Sequence, residues 1–196
     1  MIVMKGKSLM TSQPRIKIKN IFRHLHTIRT HRKWVRYYCR MLGMNWQGWT
    51  HDLSKYSPVE FWESVRWYQG TSSPIDACRK VNGYSRAWMH HRGRNLHHHV
   101  AWWENMDKGV KPLRMPEKYV FEMICDWMGA GKAYMGKDFT YAKEYEWYIN
   151  RQMFLHPQTK HLIDDIMKFI LRFGDDGFNY NLWMDMAEEI YVEEKF

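Results

Sequence analysis

Thr50-His-Asp-Leu-Ser-Lys-Tyr-Ser-Pro-Val-Glu-Phe61 decides how the rest of the chain is read, because a helix start follows directly on a histidine–aspartate pair. Ser57 is an N-cap residue, Pro58 takes the first helical position and Glu60 the third, so a helix begins here and runs to about Gln69. Thr50 to Tyr56 is then a short, separate turn of helix. Adjacent side chains on a helix diverge by about 100 degrees. His51 and Asp52 therefore converge on one ion only at the end of a short helix, with neighbouring helices supplying further ligands. Lys55 stands four residues after His51 and three after Asp52, on the same helical side, where its ammonium could meet a substrate phosphate.

The hydrophobic period is helical nearly throughout and few segments alternate as strands do, which predicts an all-α fold. Ile21, Leu25, Ile28, Val35 and Leu42 make residues 16–42 one long amphipathic helix. His24 and His31 share its apolar face, whereas His26 falls with Arg29 and Lys33 on a more polar side. Ser73-Pro74 opens another helix, Gly83 interrupts it, and Tyr84 to Arg92 follows; Leu96 to Met106 reads as a further helix. Pro116 starts one through about Tyr134, with Val120, Ile124 and Trp127 on one stripe and Tyr119, Met123 and Asp126 beside it. Thr140 to Phe154 and Pro157 to Phe173, the latter stopped by Gly174, are two more. The segment from about Tyr180 is amphipathic through Leu182, Met186 and Ile190. This divides the chain into a basic tail (1–15), a helical core holding the site (16–155), and C-terminal helices (156–196) that pack on the core or on a second subunit of a homodimer.

A chain of 196 residues suits one domain with a real core. Its formal charge of +9, concentrated before Arg40, favours anionic partners such as a nucleotide, with nucleic acid the weaker expectation. Cys39, Cys78 and Cys125 lie far apart with no CxxC spacing, which suggests neither disulfides nor a thiolate zinc site. A reducing cytoplasm is the natural setting, and with no run of about 18 apolar residues the chain is expected neither to be exported nor to span a membrane.

Eleven histidines are many for this length, and most fall in three patches: His24, His26 and His31; His51 with Asp52; and His90-His91 with His97-His98-His99. Imidazole and carboxylate without thiolate suit Zn, Mn, Fe, Co or Ni. His31 and Asp126 are interior-facing candidates to join His51 and Asp52. Asp126 sits in a mostly apolar stretch, where an ion or an arginine must compensate its charge. Three successive histidines cannot all point inward along a helix, so one ligand is expected from 97–99, His98. Gly129-Ala-Gly-Lys132 and Gly136-Lys137 follow a helix instead of a strand and do not form a phosphate loop.

His31, then His51-Asp52, then a distant Asp126 resembles the H…HD…D signature of the HD-domain superfamily of metal-dependent phosphohydrolases, and His51-Asp-Leu-Ser-Lys55 is similar to its HDxxK variant. More narrowly, Trp46-Gln-Gly48, residues 51–61, Ala87-Trp-Met-His-His-Arg-Gly-Arg-Asn-Leu-His-His98 and Met123-Ile-Cys-Asp-Trp127 resemble the DUF5662 proteins of Firmicutes and their phages, over roughly residues 20 to 160. The resemblance implies an HD-domain-like helical bundle with one or two divalent metal ions (Mn, Fe, Co, Ni, Zn or Mg). His31, His51, Asp52 and Asp126 would hold the first; Asp52 would bridge to a second held by one of His90 or His91 and one of His97 or His98. Lys55, Arg92 and Arg94 would orient a phosphate, Asp52 would take part in catalysis, and the reaction would be hydrolysis of a nucleotide or related small phosphate ester. An oxygenase branch of the superfamily carries a similar ligand order, so a non-haem di-iron oxygenase is the alternative. A non-catalytic basic module binding nucleic acid or protein is the third reading.

Overall fold

Two helices form the centre of the molecule, whose computed structural model describes residues 13–191. Helix α1 (Ile18–Met41) buries Ile28 and Val35 with His24 and His31 as the spacing suggests, and adds Tyr38 and Cys39, whereas Ile21 and Leu25 of the expected stripe are only half-buried. Helix α6 (Glu117–Met135) is buried continuously from Val120 to Gly129, as a helix enclosed on all sides must be. Gly129 permits their close approach: a Cβ there would lie 2.4 Å from Val35 Cγ2 and 3.0 Å from the Val35 backbone nitrogen.

Around this pair the chain adds short helices. Gly43, at φ 69°, turns α1 into α2 (Asn45–Thr50), and Gly48 brings α2 onto α1, where a Cβ would meet Cys39 Cβ at 2.9 Å. Helix α3 (Pro58–Trp67) is capped as read, Ser57 Oγ accepting from the Glu60 N–H, but it ends two residues before Gln69. Helix α4 (Pro74–Asn82) stops at Gly83, which is left-handed. Helix α5 (Arg86–Arg92) is anchored by Glu63 of α3, whose carboxylate accepts from the Arg86 and Ala87 amides (3.2 and 3.0 Å) and from the Ser85 hydroxyl (2.5 Å). An anion at an N-terminus satisfies donors a helix leaves open, so α5 and its histidines are tied to α3.

Residues 96–106 do not form the expected helix. A single 3-10 turn (His99–Trp102) leads into a hairpin of β1 (Trp103–Met106) and β2 (Gly109–Pro112), antiparallel with Met106 opposite Gly109. Asp107-Lys108 makes the two-residue connection, and Gly109 at φ 131° takes a conformation costly for a side-chain-bearing residue. The fold is otherwise helical, as expected.

Helices α7 (Tyr141–Ile149), α8 (Pro157–Phe173) and α9 (Tyr180–Tyr191) complete it. Helix α7 stops short of Phe154 because Asn150 caps it, its side chain donating to the Glu146 carbonyl. Leu162, Ile163, Ile166, Met167, Ile170, Trp183 and Ala187 join the same core as Val35 and Ile124. Trp183 is fully buried between Phe121 and Phe178, and its indole N–H donates to the Gly177 carbonyl (2.9 Å). Trp183→Ala should cost about 3–5 kcal/mol; an unchanged midpoint in urea would show that α9 does not hold the core together. Residues 1–12 of the basic tail and 192–196 lie outside the described residues. Among those described, no helix is long and apolar enough to cross a membrane.

Candidate metal centre

Where α2 ends, His51 is extended and Asp52 is left-handed (φ 55°, ψ 27°), the one positive-φ residue other than glycine among those described. Aspartate tolerates that region better than most residues. The reversal removes the divergence a continuous helix would impose, so both side chains turn to the same interior point. A 3-10 turn, Leu53–Tyr56, then carries Lys55 back over Asp52. Arg32 holds the reversal from α1, donating to the His51 carbonyl (2.8 Å) and the Trp49 carbonyl (2.7 Å).

Four buried atoms meet there. His31 Nε2 lies 3.1 Å from Asp52 Oδ2, 3.2 Å from Asp126 Oδ1 and 3.3 Å from His51 Nε2; His51 Nε2 is 3.2 Å from Asp126 Oδ1 and 3.3 Å from Asp52 Oδ2. Bonds of about 2.0–2.2 Å to one cation imply ligand–ligand edges of roughly 3.0–3.5 Å. The set His31, His51, Asp52 and Asp126 could therefore hold an ion.

A second set lies on the other oxygen of Asp52. His91 Nε2 is 3.2 Å and His97 Nε2 3.6 Å from Asp52 Oδ1, and Asp52, His91, His97 and His98 each offer a ligand atom within 4.8 Å of one another. Asp52 Oδ1, His97 Nε2 and His98 Nε2 are buried with no hydrogen-bond partner among the described residues. Buried polar atoms without partners are costly, and three of them around one point have the chemistry of an ion site.

Two glutamates orient the rings. Glu122 Oε1 faces Nδ1 of His51 (2.9 Å) and Nδ1 of His97 (3.1 Å); the Glu60 carboxylate faces Nδ1 of His91 (2.8 Å) and Nδ1 of His90 (2.6 Å). A carboxylate at Nδ1 takes its proton in hydrogen bonding and leaves the Nε2 lone pair for a metal. The sequence marks Glu60 only as a capping residue and gives Glu122 no motif signal of its place in the site.

The structure brings His31, His51, Asp52, His91, His98 and Asp126 together and adds His97. It does not bring in His90, whose Nδ1 is on Glu60 and which stands 20% exposed on the outer side of α5. His97 and His98 both turn inward because the chain there is not helical; His98 is extended at φ −87°, ψ 127°. Arg92 and Arg94 are exposed, and the Arg94 guanidinium donates to the His90 carbonyl (3.4 Å), so neither accompanies the cluster as Lys55 does. Lys55 Nζ is 2.5 Å from Asp52 Oδ2, with its side chain 26% exposed.

The electrostatics are those of concentrated negative charge. Burial alone would raise the Asp52 pKa, but His51, Lys55 and His91 hold the carboxyl well below its ordinary range. Burial likewise opposes ionisation of Asp126, and the hydrogen-bonded His31 and His51 overcome it. His51 is pushed well up by Asp52, Asp126 and Glu122 against its burial, and His91 to about 8 by Asp52 and Glu60. Carboxylates that favour a proton on these rings also favour a divalent cation between them. His98 is held well down by burial and by His97 and His91, which keeps it in the neutral form a metal requires. Glu144 of α7 is raised to about 8, by burial and then by Asp126.

Fold and site together define a predominantly helical protein with a buried histidine–carboxylate cluster whose groups could hold a metal ion. The chain belongs to DUF5662, a family of unknown function whose model matches residues 20–169. No curated protein and no solved structure matches the chain.

The geometry separates the paired histidines by their expected behaviour. In a calorimetric titration with Mn or Zn, any binding at the second set should weaken in His91→Ala and be unchanged in His90→Ala. Glu122→Ala, which frees Nδ1 of two ring ligands at once, should lower affinity about 10- to 100-fold. Equal effects of the two histidine substitutions would contradict the assignment.

Proposed function

We propose that this protein is a metal-dependent phosphohydrolase acting on a nucleotide or related small phosphate ester, with an HD-domain-like bundle holding two divalent cations bridged by Asp52. The observation that carries this reading is the placement of Asp52, with one oxygen facing each histidine set and Lys55 closing over it from the partly exposed side. His31, His51 and Asp126 would hold the first cation, and His91, His97 and His98 the second. When bound, such cations make a water nucleophilic near neutral pH and neutralise charge developing on the phosphoryl group.

The protein's own residues do the rest. Lys55 places an ammonium beside the cluster; burial tends to lower its pKa, but Asp52 and Asp126 raise it, so it remains charged and can pair with a phosphate oxygen. Arg32 fixes the His51 backbone, and Glu122 and Glu60 fix the ring orientations. Burial of the ligands keeps bulk water from competing with the bound phosphate. Three buried free cysteines fit the cytoplasmic setting we propose.

The test is turnover of a panel of nucleotides and simple phosphomonoesters and diesters by Mn-, Co- or Zn-loaded protein, against His51→Ala. Metal-dependent release of phosphate or nucleoside, abolished in the variant, is expected. The three imidazoles of the second set also suit iron, so a non-haem di-iron oxygenase is the alternative. Stoichiometric iron with a visible charge-transfer band, oxygen consumption and no phosphoester turnover would replace the first reading with the second.

A further inference from the structure

The edge formed by α1, α2 and the 3-10 turn after Asp52 is positively charged and aromatic at once. No Asp or Glu precedes Asp52 in the chain. Along α1, Arg29, Lys33, Arg36 and Arg40 recur every three or four residues, which places them on one side of the helix over roughly 16 Å. Arg29, Lys33 and Arg40 are exposed. Because Gly48 seats α2 against Arg36 and Cys39, Trp49 falls beside this stripe, and the Arg36 guanidinium lies over its ring at 3.7 Å. Arg32 stands 5.5 Å from the Tyr56 ring centroid in the same way. Yet the two indoles remain largely in solvent, Trp46 at 76% and Trp49 at 59%, and Tyr56 is 39% exposed. Arg36 Nε is buried with no acceptor among the described residues.

We propose that this edge binds single-stranded nucleic acid, the arginines and lysine tracking phosphates while Trp46, Trp49 and Tyr56 stack bases. We further infer, resting on the phosphohydrolase reading, that the ester processed at the centre is carried on such a strand. An exposed indole backed on one face by a guanidinium leaves its other face for a base, the arrangement single-strand binders use. A duplex offers no unstacked base to such rings. A membrane is the poorer occupant, since guanidinium groups lie over the Trp49 and Tyr56 rings and would have to be desolvated with them. The edge reaches the centre directly: Arg32 bonds the His51 carbonyl, and Tyr56 follows Lys55.

The experiment is a titration of the intact protein with a labelled oligothymidylate of about a dozen nucleotides, followed by anisotropy and tryptophan quenching, with the metals chelated. Saturable binding is expected, with log K falling against log salt at a slope of about −2 to −3, as for three or four phosphates. Trp49→Ala should weaken binding about tenfold or more. Trp46→Ala, at a site too exposed to affect folding, should weaken it in the same direction, and Lys33→Glu should flatten the salt slope. The same length of duplex should bind less well. Absence of saturable binding, indifference to both tryptophan substitutions, or tighter binding to anionic phospholipid vesicles than to the oligonucleotide would overturn the proposal. Strand binding that survives His51→Ala, with neither small esters nor the strand hydrolysed by loaded wild-type protein, would sink the phosphohydrolase reading alone, and hydrolysis of small esters with the bound strand left intact would overturn the inference that the ester is carried on the strand. Hydrolysis of small esters without strand binding would sink the strand-binding proposal alone.

Discussion

Asp52→Ala should release both cations at once, whereas His31→Ala and His91→Ala should each weaken one. The difference follows from the carboxylate's position, with Oδ2 within 3.3 Å of the His31 and His51 nitrogens and Oδ1 facing His91 and His97. Removing it also leaves the imidazoles without the anion that makes a cation favourable between them. Phosphoester turnover should fall about a thousandfold or more, since bound cations supply several kcal/mol of transition-state stabilisation. Asp52→Asn, nearly isosteric, controls for folding: it should keep the helical circular dichroism and still lose both equivalents. Loss of a single equivalent in Asp52→Ala would show that the two sets are not bridged.

Gly129→Ala should lower stability and metal affinity together, although the residue is no ligand. A methyl group there would meet Val35 Cγ2 at 2.4 Å, the Val35 nitrogen at 3.0 Å and the His31 carbonyl at 3.3 Å. Backbone atoms cannot rotate away, so α1 must move off α6. Overpacking of this kind costs about 1–3 kcal/mol, which for a domain of this size lowers the melting temperature by roughly 2–10 °C. The same movement separates His31 on α1 from Asp126 on α6, so the first cation should bind at least tenfold more weakly, as expected when ligand geometry loses its support. Trp183→Ala provides the contrast, being destabilising but on α9: its folded form should bind metal normally. Equal metal affinity in Gly129→Ala and wild type would mean that the spacing of α1 and α6 does not set the site.

The same contrast between periodic and irregular segments governs what the sequence reveals. Helix α8 begins at Pro157 and ends at Gly174 as read, because proline and glycine punctuate a strongly amphipathic run. The buried face of α1 was legible for the same reason, and with it the inward placement of His31. Residues 96–106 were not, because Leu96 and Val100 also fit a helical spacing and the strands are held by cross-strand pairing that local pattern does not encode. Reading that stretch as helix also led to the expectation of one inward histidine where there are two. The left-handed conformation of Asp52 has no sequence signal beyond aspartate's tolerance for it. Glu60 concealed a long-range role behind a local one, since its amide completes the Ser57 cap while its carboxylate reaches His90 and His91. Glu122 could have been found by the argument that singled out Asp126: it is another carboxylate in an apolar run, four residues earlier and on the same helical face.

Anomalous diffraction from crystals grown with Mn or Zn would locate the cations around Asp52 by direct observation. Two peaks about 3.5–4 Å apart are expected, one among His31, His51, Asp52 and Asp126 and the other among Asp52, His91, His97 and His98. An empty cluster, or a single ion with His97 and His98 turned away from Asp52, would contradict a pair of cations bridged by Asp52.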